Sequence, residues 1–341
     1  MFKHLGLLVK YWHIIAFSSE IKKNTSIQKM MYSISFLLWR DDNDNIHAIA
    51  NVCAHKRAPL HVSDYKTNVL TCPYHGWKYN SKGCLAEIPS SPHIDIQKLN
   101  CSLNKYEIIE QDGFVWIYLD DSQKANTKPY QLETQNWDAI FLKECFETTD
   151  ELLVENFMDA THTAFTHKGI IRGMGEKVEH QLHVQYAENE VKVSFKETQE
   201  KVALGLNLIL GNNLLSKHTD AFLMPNLVKV DYYINDIHRF NAFIACTPVS
   251  EGKTMAYIKL SYNFKAFNPI IKLVLPFLAR KVVAQDVEIT KLQYTNQQLF
   301  ASQKDQCIDY DIIYNKIKLI RQSAMNNTPV NAGETNVSIY L

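Results

Sequence analysis

The sequence predicts an α+β protein in two domains: a small all-β N-terminal domain, then an antiparallel sheet with helices packed on it. Three observations carry this. From Ser33 to about Leu119 the chain runs in short β-type segments bounded by polar turns. A polar stretch from Asp120 to Asn136, containing Pro129, reads as a linker. Beyond it, long helical segments alternate with further strand-like runs. The domains expected are therefore 1–130 and 131–341.

In the first domain Ser33–Trp39 and Ile46–Val52 are strand-like, joined by the turn Asp41-Asp42-Asn43-Asp44-Asn45, and Gly113–Leu119 is an aromatic and β-branched strand. In the second, Glu151–His167 lacks Gly and Pro and reads as a helix. Strands are expected at Glu190–Thr198, Leu227–Ile234, Phe240–Thr247 and Thr254–Phe264. A long helix enters through Asn268-Pro269 and runs to Phe300, and Ile308–Ser323 is a second helical stretch. The tail beyond Asn326 is polar and reads as loose. No internal repeat or low-complexity segment is present.

Lys+Arg and Asp+Glu are both 36, which argues against nucleic acid as a partner. The segment to Phe17 is apolar but broken by Lys10 and His13, with no small-residue cleavage site after it, so it is not read as a signal peptide. The longest apolar stretch, Ile270–Ala279, is interrupted by Lys272 and Pro276 and falls short of the ~20 residues of a membrane span. Seven cysteines, an odd number spread over a long chain, argue against a disulfide framework and for a cytoplasmic setting. Cys84, Cys101, Cys145, Cys246 and Cys307 read as reduced thiols, with Cys84 and Cys101 near enough to the motif below to bear inspection.

That motif is Cys53-Ala54-His55, then sixteen residues, then Cys72-Pro73-Tyr74-His75-Gly76-Trp77. Each loop supplies one thiol and one imidazole. By ligand type the set suits zinc, or a [2Fe–2S] cluster with one iron on two Cys and the other on two His. Common zinc fingers pair Cys with Cys and His with His along the chain. The alternation here is what a split Cys₂/His₂ cluster needs, and Pro73 and Gly76 suit a loop whose amides approach sulfides closely.

Cys53–Leu60 and Cys72–Tyr79 at this spacing resemble the cluster-binding motif of the Rieske non-haem iron oxygenases. A second constellation, Asn156-x-x-Asp159-x-x-His162-x₄-His167, resembles the mononuclear-iron motif of the same family, in the spacing of its demethylase and monooxygenase branch. On an ideal helix Asp159 and His162 share a face, but His162 and His167 lie about 140° apart. Both reach one metal only if the helix ends, kinks or bulges, which we expect near Phe165.

Non-haem Fe(II) takes two His and one carboxylate on one face, leaving positions open. The carboxylate candidate is Asp286, on a stretch that resembles the family's Asp-x₆-Gln helix with Gln293. The neighbouring Glu288 points about 200° away.

The resemblance runs from Tyr11-Trp12 to Ile308–Ile320. It implies a Rieske domain, a helix-grip-like catalytic domain, and two cofactors, a [2Fe–2S] cluster and Fe(II). It implies a terminal oxygenase that takes electrons from a separate reductase or ferredoxin and uses O₂ to hydroxylate or oxidatively demethylate a small, partly apolar substrate. Ring cis-dihydroxylation and a non-catalytic electron carrier are the alternatives. It further implies a head-to-tail homotrimer in which Asp159, not itself a ligand, links His162 to a cluster histidine, His75, of the neighbouring subunit.

Two features depart from parts of the family. No cysteine pair or membrane segment follows residue 307, unlike in plastid chlorophyll-breakdown members, which Leu37–Arg40 otherwise resembles. The chain is also shorter than ring-dioxygenase large subunits, which weakens the case for an accessory β subunit. Gly173-Met174-Gly175 lacks the third Gly and preceding strand of a dinucleotide fingerprint, so the reductant comes from a partner. The apolar Ala203–Leu210 reads as a buried segment or a pocket cover.

Overall fold

The computed structural model describes residues 3–66, 69–99, 101–134, 136–168, 170, 178–195, 200–201, 214–234 and 237–340. The Gly173–Gly175 and Ala203–Leu210 stretches lie outside the described residues. Two compact units form, one from Val9–Leu132 and one from Lys3–Leu8 with the chain from Glu133 onward.

The first unit is all-β. Its six-stranded antiparallel sheet runs in the order Trp12–Phe17, Phe114–Tyr118, Lys105–Gln111, Ile46–Ala50, Ile34–Arg40, Ser26–Met31. Trp12–Phe17 and Phe114–Tyr118 are buried at every position, because β-branched and aromatic side chains fill both faces of the pleat. Asp112-Gly113 turns the chain between Lys105–Gln111 and Phe114–Tyr118, with φ of 59° and 87°. A two-residue hairpin needs such left-handed backbone, and Asp-Gly is a pair that adopts it. In the predicted Asp41–Asn45 turn, Asp41 Oδ1 accepts from the amides of Asn43 and Asn45, both at 2.9 Å. A second, four-stranded sheet orders Asp64–Lys66, Val69–Thr71, Lys78–Asn80 and Leu85–Glu87. It brings the second Cys/His loop, residues 72–77, beside the first.

The second unit is an antiparallel sheet ordered Asp138–Phe146, Lys253–Tyr262, Ile237–Ser250, Leu227–Ile234, Leu214–Leu223, Glu190–Phe195, Glu179–Ala187, Gly333–Tyr340, with Glu200–Lys201 beside Leu214–Leu223. Among the described residues three α-helices accompany it: α1 (Asp150–Met158), α2 (Asn268–Leu299) and α3 (Ile312–Asn326). The short α1 packs against four strands and against both other helices. Its start is well specified. Thr149 Oγ1 accepts from Leu152 N at 3.2 Å, and Asp150 and Glu151 sit in the positive first turn.

Two expectations are corrected. The helix expected over Glu151–His167 ends at Met158, and a separate 3₁₀ turn spans Thr161–Ala164. The tail expected to be loose instead forms the strand Gly333–Tyr340, paired over its full length with Glu179–Ala187. Val337 and Ile339 alternate inward between exposed polar neighbours. Such a weak two-residue pattern becomes a strand only when a partner edge is supplied from elsewhere in the chain.

Candidate metal centres

The first Cys/His loop leaves the strand Ile46–Ala50 and folds back on itself. Cys53 N donates to Ala58 O at 2.8 Å, and the Asn51 side-chain oxygen accepts from the amides of Leu60 and His61 at 2.8 Å each. In the second loop, Cys72 N donates to Trp77 O at 2.8 Å and Gly76 N to Cys72 O at 3.0 Å. Gly76 has φ of +72°, and a Cβ there would stand 3.3 Å from Pro89 Cγ. Glycine is required for the backbone conformation.

The loops segregate their donors. Cys53 and Cys72 are buried together in a core cluster with Leu37, Trp39, Leu60, Leu70 and Tyr79. The His55 and His75 rings stand outside, centroids 4.6 Å apart, and Trp77 lies flat on His55 at 4.5 Å and 2°. The Tyr79 hydroxyl is 3.1 Å from Cys53 Sγ, and burial holds its pKa far above the ordinary phenol value, so it is the donor. The backbone amides of Tyr74 and His75 are aimed at the Cys72 sulfur. Burial, reinforced by the adjacent Cys53 sulfur, nevertheless pushes the Cys72 thiol up.

His55 Nδ1 is buried without a hydrogen-bond partner. A buried imidazole nitrogen left open, beside two sulfurs that repel each other as thiolates, fits a cationic centre bound by all four residues. Cys101 packs at the rim of this cluster, while Cys84 is exposed.

The second centre is built where α1 stops. Asp159 leaves the helix at φ −91°, ψ 110°, and its carboxylate takes over the freed amides. Oδ1 accepts from Thr161 N and Oγ1 at 2.7 and 2.6 Å, and Oδ2 from His162 N at 3.2 Å. An Asp side chain that satisfies local backbone competes with helix continuation, so the break lies at Asp159 rather than near Phe165. Tyr310, 150 residues downstream, secures it by accepting from Ala160 N at 2.8 Å.

The break lets both histidines face one point. His162 Nδ1 is held by the Asp159 backbone carbonyl at 2.5 Å, and His167 Nδ1 by Gln285 Oε1 at 3.0 Å. Each Nδ1–H donates, so in the neutral ring each Nε2 has its lone pair available to a metal. The two Nε2 atoms are 3.2 Å apart, and Asp286 Oδ1 lies 3.5 Å from that of His162 and 3.1 Å from that of His167. Donors held ~2.1 Å from one metal at right angles are about 3.0 Å apart, so this triangle fits a two-His, one-carboxylate face. His167 and Asp286 expose only 1% and 3% of their side chains.

Burial opposes charge on Asp286, but hydrogen bonds from His162, His167 and Asn156 outweigh it and hold the carboxyl below its usual range. For His162 burial favours the neutral ring, yet Asp286 and Asp159 raise its pKa overall. Glu288 is exposed, and so is Gln293, which does not reach the site. The glutamine that does is Gln285, adjacent to Asp286. Neither its role nor those of Tyr79 and Tyr310 was read from sequence. Asn156 turns its amide to Asp286 Oδ1 at 3.1 Å.

The profile of the Rieske [2Fe-2S] domain matches residues 11–107, and that of the vanillate O-demethylase oxygenase C-terminal domain matches residues 146–325, more than half of the chain. The chain belongs to the Rieske non-haem iron oxygenases, in their demethylase and monooxygenase branch. Among relatives of this oxygenase family, chlorophyllide a oxygenase of Oryza sativa subsp. japonica is 30% identical over 162 residues, 47% of this chain and 29% of that protein. Methylxanthine N3-demethylase NdmB of Pseudomonas putida is 28% identical over 221 residues, 61% of this chain and 59% of that protein. The chain spans less than half the length of the first curated relatives it matches.

The fold matches solved oxygenases closely. Dicamba monooxygenase bound to dicamba superposes with a TM-score of 0.79 at 14% identity, covering 94% of this chain and 98% of that one. Pseudomonas putida NdmA with caffeine gives 0.73 at 18% identity, covering 96% of each. Both family cofactors, the [2Fe–2S] cluster and the mononuclear iron, have matching donor sets here.

Proposed function

We propose that this chain is a terminal oxygenase component that uses O₂ and electrons from a separate reductase or ferredoxin to hydroxylate, or oxidatively demethylate, a small and partly apolar organic substrate. The observation that carries the reading is the convergence of His162, His167 and Asp286, whose donor atoms lie within 3.5 Å of one another, in a chain that also holds a complete Cys₂His₂ cluster motif. Iron bound there supplies O₂ activation, and the cluster supplies electrons one at a time.

The protein's own groups set the conditions. Gln285 and the Asp159 carbonyl fix the imidazole orientations, and Asn156 fixes the carboxylate. Cys53, His55, Cys72 and His75 are the proposed cluster ligands. The side chain of Asp159 is 28% exposed, and Tyr74 and His75 are exposed on the first unit. This supports a route from His75 of a neighbouring subunit through Asp159 to His162 in a head-to-tail homotrimer. Seven free cysteines support a reducing, cytoplasmic setting. Among the described residues no helix is long and apolar enough to cross a membrane.

The test is metal analysis and EPR of anaerobically purified protein, followed by reduction with a surrogate reductase under O₂. The reading expects about three irons per chain, two in a cluster with a reduced-state signal and one mononuclear. It expects His162→Ala to lose the mononuclear iron alone. Two irons in the unaltered protein would leave a non-catalytic electron carrier, and zinc in place of iron would leave a binding module.

A further inference from the structure

We propose that the N-terminal half of α2 is a membrane-surface anchor: Ile270, Leu273, Val274 and Phe277 seat in the headgroup–acyl boundary of an anionic bilayer, while Lys265, Arg280 and Lys281 meet its phosphates. This goes beyond the oxygenase reading and does not depend on it.

Leu273 and Phe277 are 70% and 69% exposed, and Ile270 and Val274 are exposed beside them. At 100° per residue these four side chains span about 100° of one helix face. Ile271 and Leu275, on a face roughly 130° away, are buried. The helix is therefore apolar on two sides, and only one of them is used by the fold, where α2 packs on the strand Asp138–Phe146 and on α1. Contiguous exposed apolar surface of this kind marks an interaction site.

Charge decides the occupant. Between Asn263 and Gln285 there are four Lys and Arg, all exposed, and no Asp or Glu, in a chain whose formal charges cancel overall. Arg280 and Lys281 fall on the same face as the apolar stripe, at its C-terminal end. An apolar face bordered by cations suits a helix lying in an anionic lipid interface. Pairing of this face with itself in a second copy would set cations against cations, with no carboxylate in this stretch to pair them, and a head-to-tail contact with a different face is told apart by its effect on the mass in solution. From Ile270 to Lys281 the helix is about 18 Å long at 1.5 Å per residue, enough to lie along a bilayer surface and too short to cross it.

The experiment is co-sedimentation of the holoprotein with vesicles of phosphatidylcholine alone and of phosphatidylcholine with phosphatidylglycerol, alongside its mass in solution. Binding to the anionic vesicles is expected, with little to the neutral ones and release at high salt. Leu273→Glu/Phe277→Glu should return binding to background. Arg280→Gln and Lys281→Gln should each weaken it about fivefold. Visible absorption and iron content confirm that each variant is folded, because none of these residues touches either metal centre. Failure of the unaltered protein to bind anionic vesicles overturns the proposal. So does a lower oligomeric mass in Leu273→Glu/Phe277→Glu with vesicle binding intact, which would assign the face to another copy of the chain.

Discussion

Asn156 donates its side-chain amide to Asp286 Oδ1 at 3.1 Å, the same oxygen that stands 3.1 Å from His167 Nε2. The amide therefore orients the carboxylate rather than the imidazoles. An oxygen with a fixed donor on one side presents a defined lone pair to a metal on the other.

Asn156→Ala removes that donor and leaves Asp286 free to rotate. Mononuclear iron affinity should fall about 10–100-fold, with the cluster spectrum unchanged. An iron titration monitored beside the cluster absorbance measures both, and undiminished iron affinity would rule out the orienting role.

Gln285→Leu should act through His167, whose Nδ1–H then loses its acceptor at 3.0 Å. Iron affinity is expected to fall at least tenfold, and Gln285→Glu, which restores an acceptor, should recover most of it. The same truncation at Gln293, which is exposed, should have no effect.

Tyr79→Phe deletes the hydroxyl 3.1 Å from Cys53 Sγ. A donor to sulfur stabilises the more negative, reduced cluster, so its loss should lower the reduction potential by about 60 mV, the equivalent of one hydrogen bond in a one-electron couple. Redox titration by absorbance gives the value, and an unchanged potential refutes the contact.

Glu155 supplies a pH test of stability. Burial first, then the carboxylates of Asp311, Asp159 and Asp305, push its pKa to about 7, while Lys318 offsets part of this. A carboxyl raised above its unfolded value costs nothing below about pH 4.5 and destabilises increasingly as pH rises through 7. Glu155→Gln should thus be near neutral at pH 4.5 and stabilising by about 2 kcal/mol at pH 8, after allowance for partial exposure. Thermal melts at the two pH values check it, and equal shifts at both would contradict the assignment.

Gly76→Ala should destabilise the cluster loop by about 1–2 kcal/mol, because φ of +72° places a Cβ against the carbonyl and 3.3 Å from Pro89 Cγ. Faster cluster bleaching on mild heating is the expected readout.

Much of this was legible in sequence because the information was local. The donors Cys53, His55, Cys72 and His75 sit in two tight loops 22 residues apart at their ends, so spacing alone limited the chemistry to two options. Helical periodicity sets Asp286 and Glu288 on opposite faces, resemblance to the family's Asp-x₆-Gln helix chose the first, and the structure buries Asp286 and exposes Glu288. The strand Leu227–Ile234 matched its expected limits, since aromatic and β-branched residues fill it.

What stayed illegible depends on partners far along the chain. The end of α1 at Asp159 is held partly by Tyr310, and no window around residue 160 contains that hydroxyl. Gln285 gains its role only when α2 lies against the turn that carries His167. The strand Gly333–Tyr340 needs the edge of Glu179–Ala187.

The sequence by itself limited Cys53, His55, Cys72 and His75 to two kinds of centre, because ligand identity and loop spacing are covalent facts, and resemblance to the family pointed to His162, His167 and Asp286. Only the tertiary structure decided where the helix breaks and which oxygen and nitrogens face one another at 3.1–3.5 Å. It also left one flank of α2 uncovered. Asp159 begins the break by bonding its own neighbours, but Tyr310 and Asp286, more than a hundred residues away, secure it and give the two histidines a common partner.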